Sequence, residues 1–227
     1  MSTALPSVML CELTREEFAA GLADGTIQAA IVPTGSSEQH LHHLAMIHDA
    51  ASVQLVSRLA AERVFPHVVV TTPLAIGVSE HWMMHKGTLT ARPEVFLDLL
   101  FDVCLSLKRH GMTKLLILNG HGGNVDPIEG RLEYMRRQLD LPLRFHSYWD
   151  LIPQNVAQAN LSTGRMPGHA QEFETAFALA AFPQRVRIDR IQDEESRQAT
   201  AEKGQALLAA AVAGVANVLR EMLAEKA

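Results

Sequence analysis

The fold is decided by the stretch "IQAAIVPTG" at residues 27–35 and by the segment that follows it, "SSEQHLHHLAMIHDA" at residues 36–50. The first stretch is a nearly unbroken apolar run, which predicts a buried strand. The second places four histidines and two carboxylates within a dozen positions, and these are Glu38, His40, His42, His43, His48 and Asp49. Metal-ligating and proton-carrying side chains are therefore crowded directly behind a predicted core strand.

Strand-like and helix-like segments alternate along the rest of the chain. Further strands are predicted at residues 67–74, 114–120 and 141–149, and helices at residues 49–63, 92–111, 126–139, 170–182 and 197–226. This alternation predicts a three-layer α/β/α fold with a mostly parallel central sheet covered by helices on both faces. The chain has 227 residues and shows no repeat or linker, so we expect a single domain over residues 1–227.

Composition excludes several classes of protein. The formal net charge of -5 gives no electrostatic support for nucleic-acid binding. The two cysteines, Cys11 and Cys104, are far apart, which excludes a cysteine zinc site and fits a reducing cytoplasm. The N-terminal segment "MSTALPSVMLCELTREEF" lacks the features of a signal peptide. The run "ALLAAAVAGVANVL" has 14 residues, too few for a membrane span, and predicts a buried or subunit-facing helix.

Polar segments follow each predicted strand. They are "GSSEQH", "GVSEHWMMHKGT" at 77–88, "NGHGGN" at 119–124 and "SYWD" at 147–150. Eight of the 11 histidines lie near these segments or in "GHAQEFET" at 168–175. The segments that follow parallel strands meet at one edge of the sheet, where such folds place their sites. Imidazole and carboxylate donors without thiolates suit Zn²⁺, Mn²⁺ or Fe²⁺, and a carboxylate can bridge two ions that activate water.

Each of these motifs can also be interpreted without a metal site. Any one histidine taken alone is more often inert than functional, and His42 and His48 are expected to be bystanders because six ligands exceed the needs of one or two ions. The glycines of "NGHGGN" could instead cradle a phosphate. However, the motif matches neither common phosphate-loop pattern, and His121 occupies a position where such a loop needs open backbone.

Four blocks together resemble the creatininase (creatinine amidohydrolase) family, and they are "TGSSEQHLHHLAMIHD", "SEHWMMHKGTLT", "LNGHGGN" and "GHAQEFETA". The similarity extends to "CELTREEF", "SYWD" and "EKGQALLAAAVAGVANVLRE", so it spans nearly the whole chain. The resemblance implies an α/β fold with a parallel sheet, a two-metal site and amidohydrolase-type chemistry. It also implies a homo-oligomer, with a hexamer favoured.

The resemblance assigns roles to individual residues. Glu38 and His121 match ligands of one metal ion, His40 matches a ligand of the other, and Asp49 matches the bridging carboxylate. His169 matches the family's proton-transferring histidine. The expected substrate-binding residues are Trp149, which matches an aromatic over the pocket, and His81, His43 and Arg165.

Two departures from the family pattern affect the site. The family's Tyr-Glu pair after the histidine of the third block is replaced by Gly122 and Gly123, which removes a carboxylate from the second metal. We expect Glu174 to replace it as a metal-binding and catalytic residue, because it follows His169 by five residues at the start of a helix. Glu172 is not expected to bind metal, because residues i and i+2 of a helix do not share a face. The family's tryptophan four residues before His169 is Arg165 here.

The expected activity is cleavage of a C–N bond in a small cyclic amide or formamide by metal-activated water, with His169 donating the proton to nitrogen. The expected cofactors are two divalent metal ions per chain, with Zn²⁺ favoured and Mn²⁺ or Fe²⁺ as alternatives. Two other functions stay open, namely C–C ring-opening hydrolysis of a cyclic keto-sugar or inositol-derived substrate, and metal binding without catalysis. We expect a cytoplasmic protein with neither a nucleic-acid nor a membrane partner.

Overall fold

A computed structural model describes residues 5–225 of the protein. Its centre is a four-stranded sheet in the order β2-β1-β3-β4, and every strand pair within the described residues is parallel. The strands are β1 (Ala29–Thr34), β2 (Val68–Val70), β3 (Leu115–Asn119) and β4 (Leu143–Ser147). The two central strands, β1 and β3, pair over their full common length, so their carboxyl ends lie side by side.

Seven α-helices surround the sheet in the described part of the chain. They are α1 (Arg15–Ala23), α2 (His48–Glu62), α3 (Pro93–Arg109), α4 (Val125–Leu139), α5 (Gln154–Asn160), α6 (Glu172–Ala181) and α7 (Ala201–Ala224). Their starts follow from local sequence. Thr14 and Glu17 form a capping box at α1, Pro93 opens α3, and the side chain of Thr200 caps α7.

The strands bury side chains on both faces of the sheet. On one face, residues such as Ile31 and Leu116 pack with α2, α5, α6 and α7. On the other face, residues such as Val32 and Ile117 pack with α1, α3 and α4. The predicted three-layer α/β/α fold with a parallel central sheet is therefore confirmed, and the largely apolar character of β1, β2 and β3 is explained by burial on both sides.

The connection from β1 to α2 determines where the polar segment of residues 36–50 lies. Gly35 ends the strand at a point where an added Cβ would come within 2.5 Å of the Cα of Ala50 in α2. Gly120, at the end of β3, is crowded in the same way by Val53 and by the carbonyl of Asp49. Two glycines thus let the first turn of α2 approach the ends of β1 and β3, which brings Asp49 to the carboxyl edge of the sheet.

The predicted elements are all present, with different ends. The second strand stops at Val70 instead of residue 74, since Pro73 has no backbone N–H to donate to a neighbouring strand. Helix α6 starts two residues later than predicted because Ala170 has a left-handed backbone, with φ 53°. The predicted helix at 197–226 starts at Ala201, and its last predicted residue lies outside the described residues, as do residues 1–4 of the segment examined for a signal peptide.

Helix α7 is, among the described residues, the one helix that is long and apolar enough to cross a membrane by length and composition. A core helix of a globular protein passes the same test. One side of α7 is fully buried, at positions such as Leu207, Ala211, Val215 and Leu219, where it packs in the core with α2 and α6. The predicted burial of this helix is confirmed for that side.

Candidate metal centre

Six side chains meet at the carboxyl edge of the sheet, and we call them the cradle. They are Glu38, His40, Asp49, His121, His169 and Glu174. Within the cradle, three sets of ligand atoms each lie within 4.8 Å of one another. The first group is Glu38, Asp49 and His121; the second group is His40, Asp49 and Glu174; the third group is Glu38, His40 and His169. Asp49 belongs to the first two groups, as a bridging ligand would.

Asp49 occupies the middle of the cradle from the first turn of α2. Its Oδ1 is 2.9 Å from Nε2 of His40, and its Oδ2 is 3.0 Å from Nδ1 of His121. Burial alone would raise the pKa of this carboxyl group, but the two neighbouring imidazoles outweigh burial and lower its pKa well below the usual value. Asp49 is therefore held as an anion with a histidine on each side.

A tight turn after β1 aims the first ligands inward. The backbone N–H of Glu38 donates to the carbonyl of Met46 at 3.0 Å, which folds the segment back on itself. Nδ1 of His40 contacts the carbonyl of Glu38 at 3.1 Å, which leaves Nε2 directed at Asp49. Burial would lower the pKa of His40, but the carboxylates of Asp49 and Glu174 raise it to about 10. This rise in the pKa of His40 shows that its surroundings carry a strong negative charge.

Glu174 reaches the cradle from α6, on the far side in sequence. Its Oε2 accepts a hydrogen bond from the backbone N–H of Ala170 at 2.5 Å and lies 3.7 Å from Nε2 of His40. Burial raises the pKa of Glu174 to about 7, with the nearby Asp49 adding to the effect and His40 opposing it. Glu172 faces elsewhere: its buried carboxylate binds the N–H and hydroxyl of Ser162 and the ammonium of Lys203.

The cradle fits a divalent cation. Among the described residues, Oε2 of Glu38 and Oδ2 of Asp49 are buried oxygens without a hydrogen-bond partner, and Oδ2 meets His121 only outside hydrogen-bonding alignment. Orphaned buried carboxylate oxygens are costly unless something positive satisfies them. The three carboxylates and three imidazoles include no thiolate, so the donor set suits Zn²⁺ or Mn²⁺. Their role as metal ligands stays a prediction from the sequence that this geometry supports.

His169 lies at the rim of the cradle between two aromatic rings. Its ring centroid is 4.7 Å from that of His40 on one face and 4.4 Å from that of Trp82 on the other. Its Nε2 is 2.7 Å from the side-chain nitrogen of Gln39, and its Nδ1 is 3.5 Å from Oε1 of Glu38. Burial, together with the charge of His40, lowers the pKa of His169 to about 4.

A cavity of about 330 Å³ opens over the cradle. It is lined by the three carboxylates, by His81, Trp82, His121, Pro167 and His169, and by the backbone of Gly122 and Gly123. His81 lies parallel to His121, with ring centroids 6.1 Å apart. A cavity of this size is at the lower end of the range for small-molecule sites.

Three of the expected substrate-binding residues do not line this cavity. Trp149 is 7% exposed and packs in the hydrophobic core beside Tyr148, because the turn that follows β4 directs it inward. His43 is buried behind the cradle, where its Nε2 meets the hydroxyl of Thr175 at 2.9 Å. Arg165 is exposed, with its guanidinium 3.9 Å from the carboxylate of Glu195. A substrate in the cavity would meet His81 but none of these three.

The two histidines that were expected to be bystanders lie outside the cradle, and two residues that were not expected contact it. His42 is exposed, and His48 is buried behind His40 with a ring-centroid distance of 5.2 Å. Sequence reasoning missed Gln39 and Trp82, which hold His169 on its edge and its face. Only their positions in the sequence could have indicated a role in the site. Gln39 lies between two predicted ligands, and Trp82 follows His81 directly.

Gly123 has no room for the carboxylate that the family pattern carries there. An added Cβ would lie 2.1 Å from the carbonyl oxygen of Val78 and 2.6 Å from Nε2 of His121. The adjacent Gly122, in contrast, faces open space within 4 Å. The missing carboxylate at position 123 is thus matched by a backbone arrangement that excludes any side chain, and Glu174 lies in the second group instead.

A parallel α/β sheet with a buried histidine–carboxylate centre at its carboxyl edge defines the class of this protein. The chain belongs to the creatininase family of hydrolases, since the family profile, described as creatinine amidohydrolase, matches residues 11–198. The resemblance in the four sequence blocks is thereby confirmed.

Curated relatives show how varied the activities of similar proteins are. The chain is 27% identical to the creatinine amidohydrolase of Pseudomonas putida, over 95% of this chain and 97% of that protein. It is 25% identical to the mycofactocin precursor peptide peptidase of Mycobacterium ulcerans (73% of this chain, 63% of that one). It is also 25% identical to the 3-dehydro-scyllo-inosose hydrolase of Thermotoga maritima (74% of this chain). The alignment spans about half of that last protein's length, 54%.

Solved structures of similar proteins include metal-loaded forms. A mutant creatininase described as the Zn-Zn type superposes with a TM-score of 0.85 at 27% identity, covering 96% of this chain and 99% of that one. A structure described as creatininase Mn superposes with a TM-score of 0.82 at 26% identity, covering 96% of this chain and 100% of that one. The fold of this chain is therefore one that holds these metals in its relatives.

Proposed function

We propose that this protein is a metal-dependent amidohydrolase that cleaves a C–N bond in a small cyclic amide or formamide. The observation that carries the proposal is the position of Asp49, which is shared by two three-residue ligand groups beneath one cavity. Family membership and the 27% identity to a creatinine amidohydrolase over nearly the full length support the reaction class. The proposed cofactors are two divalent ions, with Zn²⁺ favoured and Mn²⁺ or Fe²⁺ as alternatives.

The residues of the cradle would hold two different ions. Glu38, Asp49 and His121 would hold one ion, and His40, Asp49 and Glu174 the other. When bound, two such ions lower the pKa of a shared water molecule and polarise a substrate carbonyl. Each carboxylate is buried, so its charge acts at short range with little screening by solvent.

The cavity limits what can reach these groups. A space of about 330 Å³ suits a molecule of metabolite size and excludes a folded protein segment. Trp82 and Pro167 supply apolar walls that keep bulk water from the reacting atoms, and His81 offers a polar contact opposite them. His169 presents an imidazole N–H at the rim, where it meets the departing nitrogen or the carbonyl oxygen of a bound amide.

The test is metal analysis combined with a screen of small lactams and formamides. We expect two divalent ions per purified chain and a new amine from at least one compound, either released from a formamide or carried on the ring-opened product of a lactam. This activity should be lost after treatment with a chelator and return with Zn²⁺ or Mn²⁺. The matched variant His169→Gln should keep its metal and lose most of the turnover. Ring opening of a cyclic ketone, with no new amine formed, would instead support C–C hydrolysis.

C–C ring-opening hydrolysis is kept as a second candidate because of the 25% identity to an inosose hydrolase. The screen therefore includes cyclic ketones related to inositol. A protein that binds two ions and turns over none of these compounds would favour the third reading, a metal-binding protein without catalysis.

Assembly and location are part of the same proposal. We propose a cytoplasmic homo-oligomer, with a hexamer favoured. The proposal rests on the family resemblance, and such an assembly would be able to cover partly exposed apolar side chains such as Val95 and Leu99 of α3, which are 45% and 52% exposed. Light scattering at micromolar concentration would measure the mass, and a monomer would contradict the proposal.

A further inference from the structure

Gln39 lies at the back of His169, on the turn between two ligands of the cradle. It is 8% exposed, and its backbone N–H donates to the hydroxyl of Thr88 at 3.1 Å, which fixes the residue on the turn. Its side-chain nitrogen lies 2.7 Å from Nε2 of His169. Gln39 itself is not a member of the cradle.

The orientation of the Gln39 amide follows from its second partner. Oε1 of Gln39 accepts a hydrogen bond from the backbone N–H of Leu41 at 3.0 Å. If the amide were flipped, its NH₂ group would face this N–H, donor against donor. The NH₂ group must therefore face His169.

The contact decides which nitrogen of His169 carries the proton. An amide NH₂ group donates and cannot accept, so Nε2 of His169 must be the acceptor. A neutral imidazole with an accepting Nε2 holds its proton on Nδ1. That Nδ1 lies 3.5 Å from Oε1 of Glu38, a carboxylate that also lines the cavity. The ring therefore presents an N–H toward the cradle.

The ring cannot exchange its two nitrogens by turning. It is stacked on Trp82 at an interplanar angle of 23° and faces His40 at 37° on the other side. Rotation about the bond to the ring would drive its edge into one of these neighbours, because both centroids lie within 5 Å. The orientation set by Gln39 is thus held on three sides.

We propose that Gln39 is a positioning residue that fixes the tautomer of His169, so that Nδ1–H points into the cradle and Nδ1 is withheld from metal coordination. This removes His169 from the third group and leaves two ligand groups for two ions. The consequence for catalysis rests on the proposed function: His169 meets the reacting group as a hydrogen-bond donor through Nδ1. The assignment of the proton itself needs no substrate.

The test is ¹⁵N NMR of the full-length chain, labelled at histidine and loaded with Zn²⁺. The variant His169→Gln identifies the two ring signals of His169 by their disappearance. We expect Nδ1 to show the shift and attached proton of a pyrrole-type nitrogen, and Nε2 the shift of a pyridine-type nitrogen. A proton on Nε2, or an Nδ1 bound to zinc, would overturn the proposal.

Two variants separate the proposed role from simple packing. Gln39→Glu replaces the donor by an acceptor, so the proton of His169 should move to Nε2. Gln39→Met removes the hydrogen bond at similar volume, and the signals should shift toward the average of the two tautomers. The control Gln28→Met alters a second glutamine–histidine contact, at His67, and should leave the His169 signals unchanged.

An unchanged His169 spectrum in Gln39→Met would overturn the proposal even if Gln39→Glu failed to fold. The outcome is also distinct from that of the substrate screen. A chain that shows the expected tautomer but hydrolyses no amide would refute the proposed function and leave the role of Gln39 intact, whereas an active chain with the opposite tautomer would do the reverse.

Discussion

The first and second ligand groups of the cradle share Asp49 but are built from different parts of the fold. In the first group, Glu38 and His121 follow the two central strands of the sheet, which pair along their full common length. In the second group, His40 lies on the same turn as Glu38, but Glu174 comes from helix α6. One group is thus positioned by the sheet itself, and the other by the packing of a helix on it.

The two groups also differ in the contacts that hold their glutamates. Glu38 keeps an oxygen without a partner among the described residues, while an oxygen of Glu174 is already bound by the N–H of Ala170. Helix α6 is in turn held by α7, where Gly204 packs so close to the carbonyl of Ala176 that an added Cβ would be 1.8 Å away. Under the proposed metal assignment, a carboxylate missing from a strand-end loop is matched by one from a distant helix, and the position of that second carboxylate depends on more contacts.

The largest effect is expected from the residue common to both groups. Asp49→Asn removes the negative charge that faces both His40 and His121, so both ions should bind weakly. Activity should fall by more than about 100-fold, beyond the loss typical of groups that only orient a ligand. Elemental analysis of the purified variant measures its metal content. Retention of two ions at wild-type affinity would show that Asp49 is not the bridge.

The next effect separates the two groups. Glu174→Gln should reduce the metal content from two ions to one, since it weakens the second group and leaves the first intact. Glutamine keeps an oxygen for the N–H of Ala170, so the local backbone should be preserved. The mirror variant Glu38→Gln should remove the other ion. Loss of both ions from Glu174→Gln, or of neither, would contradict the division into two groups.

A third experiment asks whether the family's carboxylate can be restored. Gly123→Glu should not recover the ion lost in Glu174→Gln, because a Cβ at this position collides with the carbonyl of Val78. We expect a loss of stability of about 1–3 kcal/mol from overpacking. Gly122→Glu is the matched control, since its Cβ faces open space and its melting temperature should stay near that of the wild type. Recovery of the second ion in the double variant would show that the backbone yields easily.

The smallest effect is expected at the neighbouring carboxylate of the same helix. Glu172→Gln should keep both ions and lose about 1 kcal/mol of stability, because the carboxylate binds Ser162 and a partly exposed Lys203. Burial acts to raise the pKa of Glu172, but these partners outweigh it and lower the pKa below its unfolded value of 4.5. Its contribution is therefore present above pH 4.5 and is lost as the pH falls further. In denaturant titrations, the difference in stability between the two proteins should be smaller at pH 4 than at pH 7.

The architecture could be predicted because strands that are buried on both faces are runs of apolar residues in the sequence. The stretch 27–35 is a nearly unbroken apolar run, and the other central strand is similar, so a parallel sheet covered by helices was the natural expectation. The shortened β2 was harder to foresee: Pro73 was visible, but its effect depends on β2 being an edge strand.

The site was predictable where it depends on strand order and less so where it depends on side-chain direction. Glu38, His40, Asp49 and His121 follow or flank strand ends, and parallel topology alone brings them together. Trp149 also follows a strand end, yet it packs in the core, since the turn from Tyr148 decides the direction of its side chain. No sequence pattern records that choice.

The stacking of Trp82 on His169 has a practical consequence for watching the cavity at work. The chain has two tryptophans, and Trp149 is sealed in the core, 7% exposed. Ultraviolet emission that changes when an ion or a small molecule is added can therefore be assigned to one indole, 4.4 Å from the imidazole at the rim of the cradle. The protein carries its own optical reporter, which allows occupancy to be followed in real time without a dye or a known substrate.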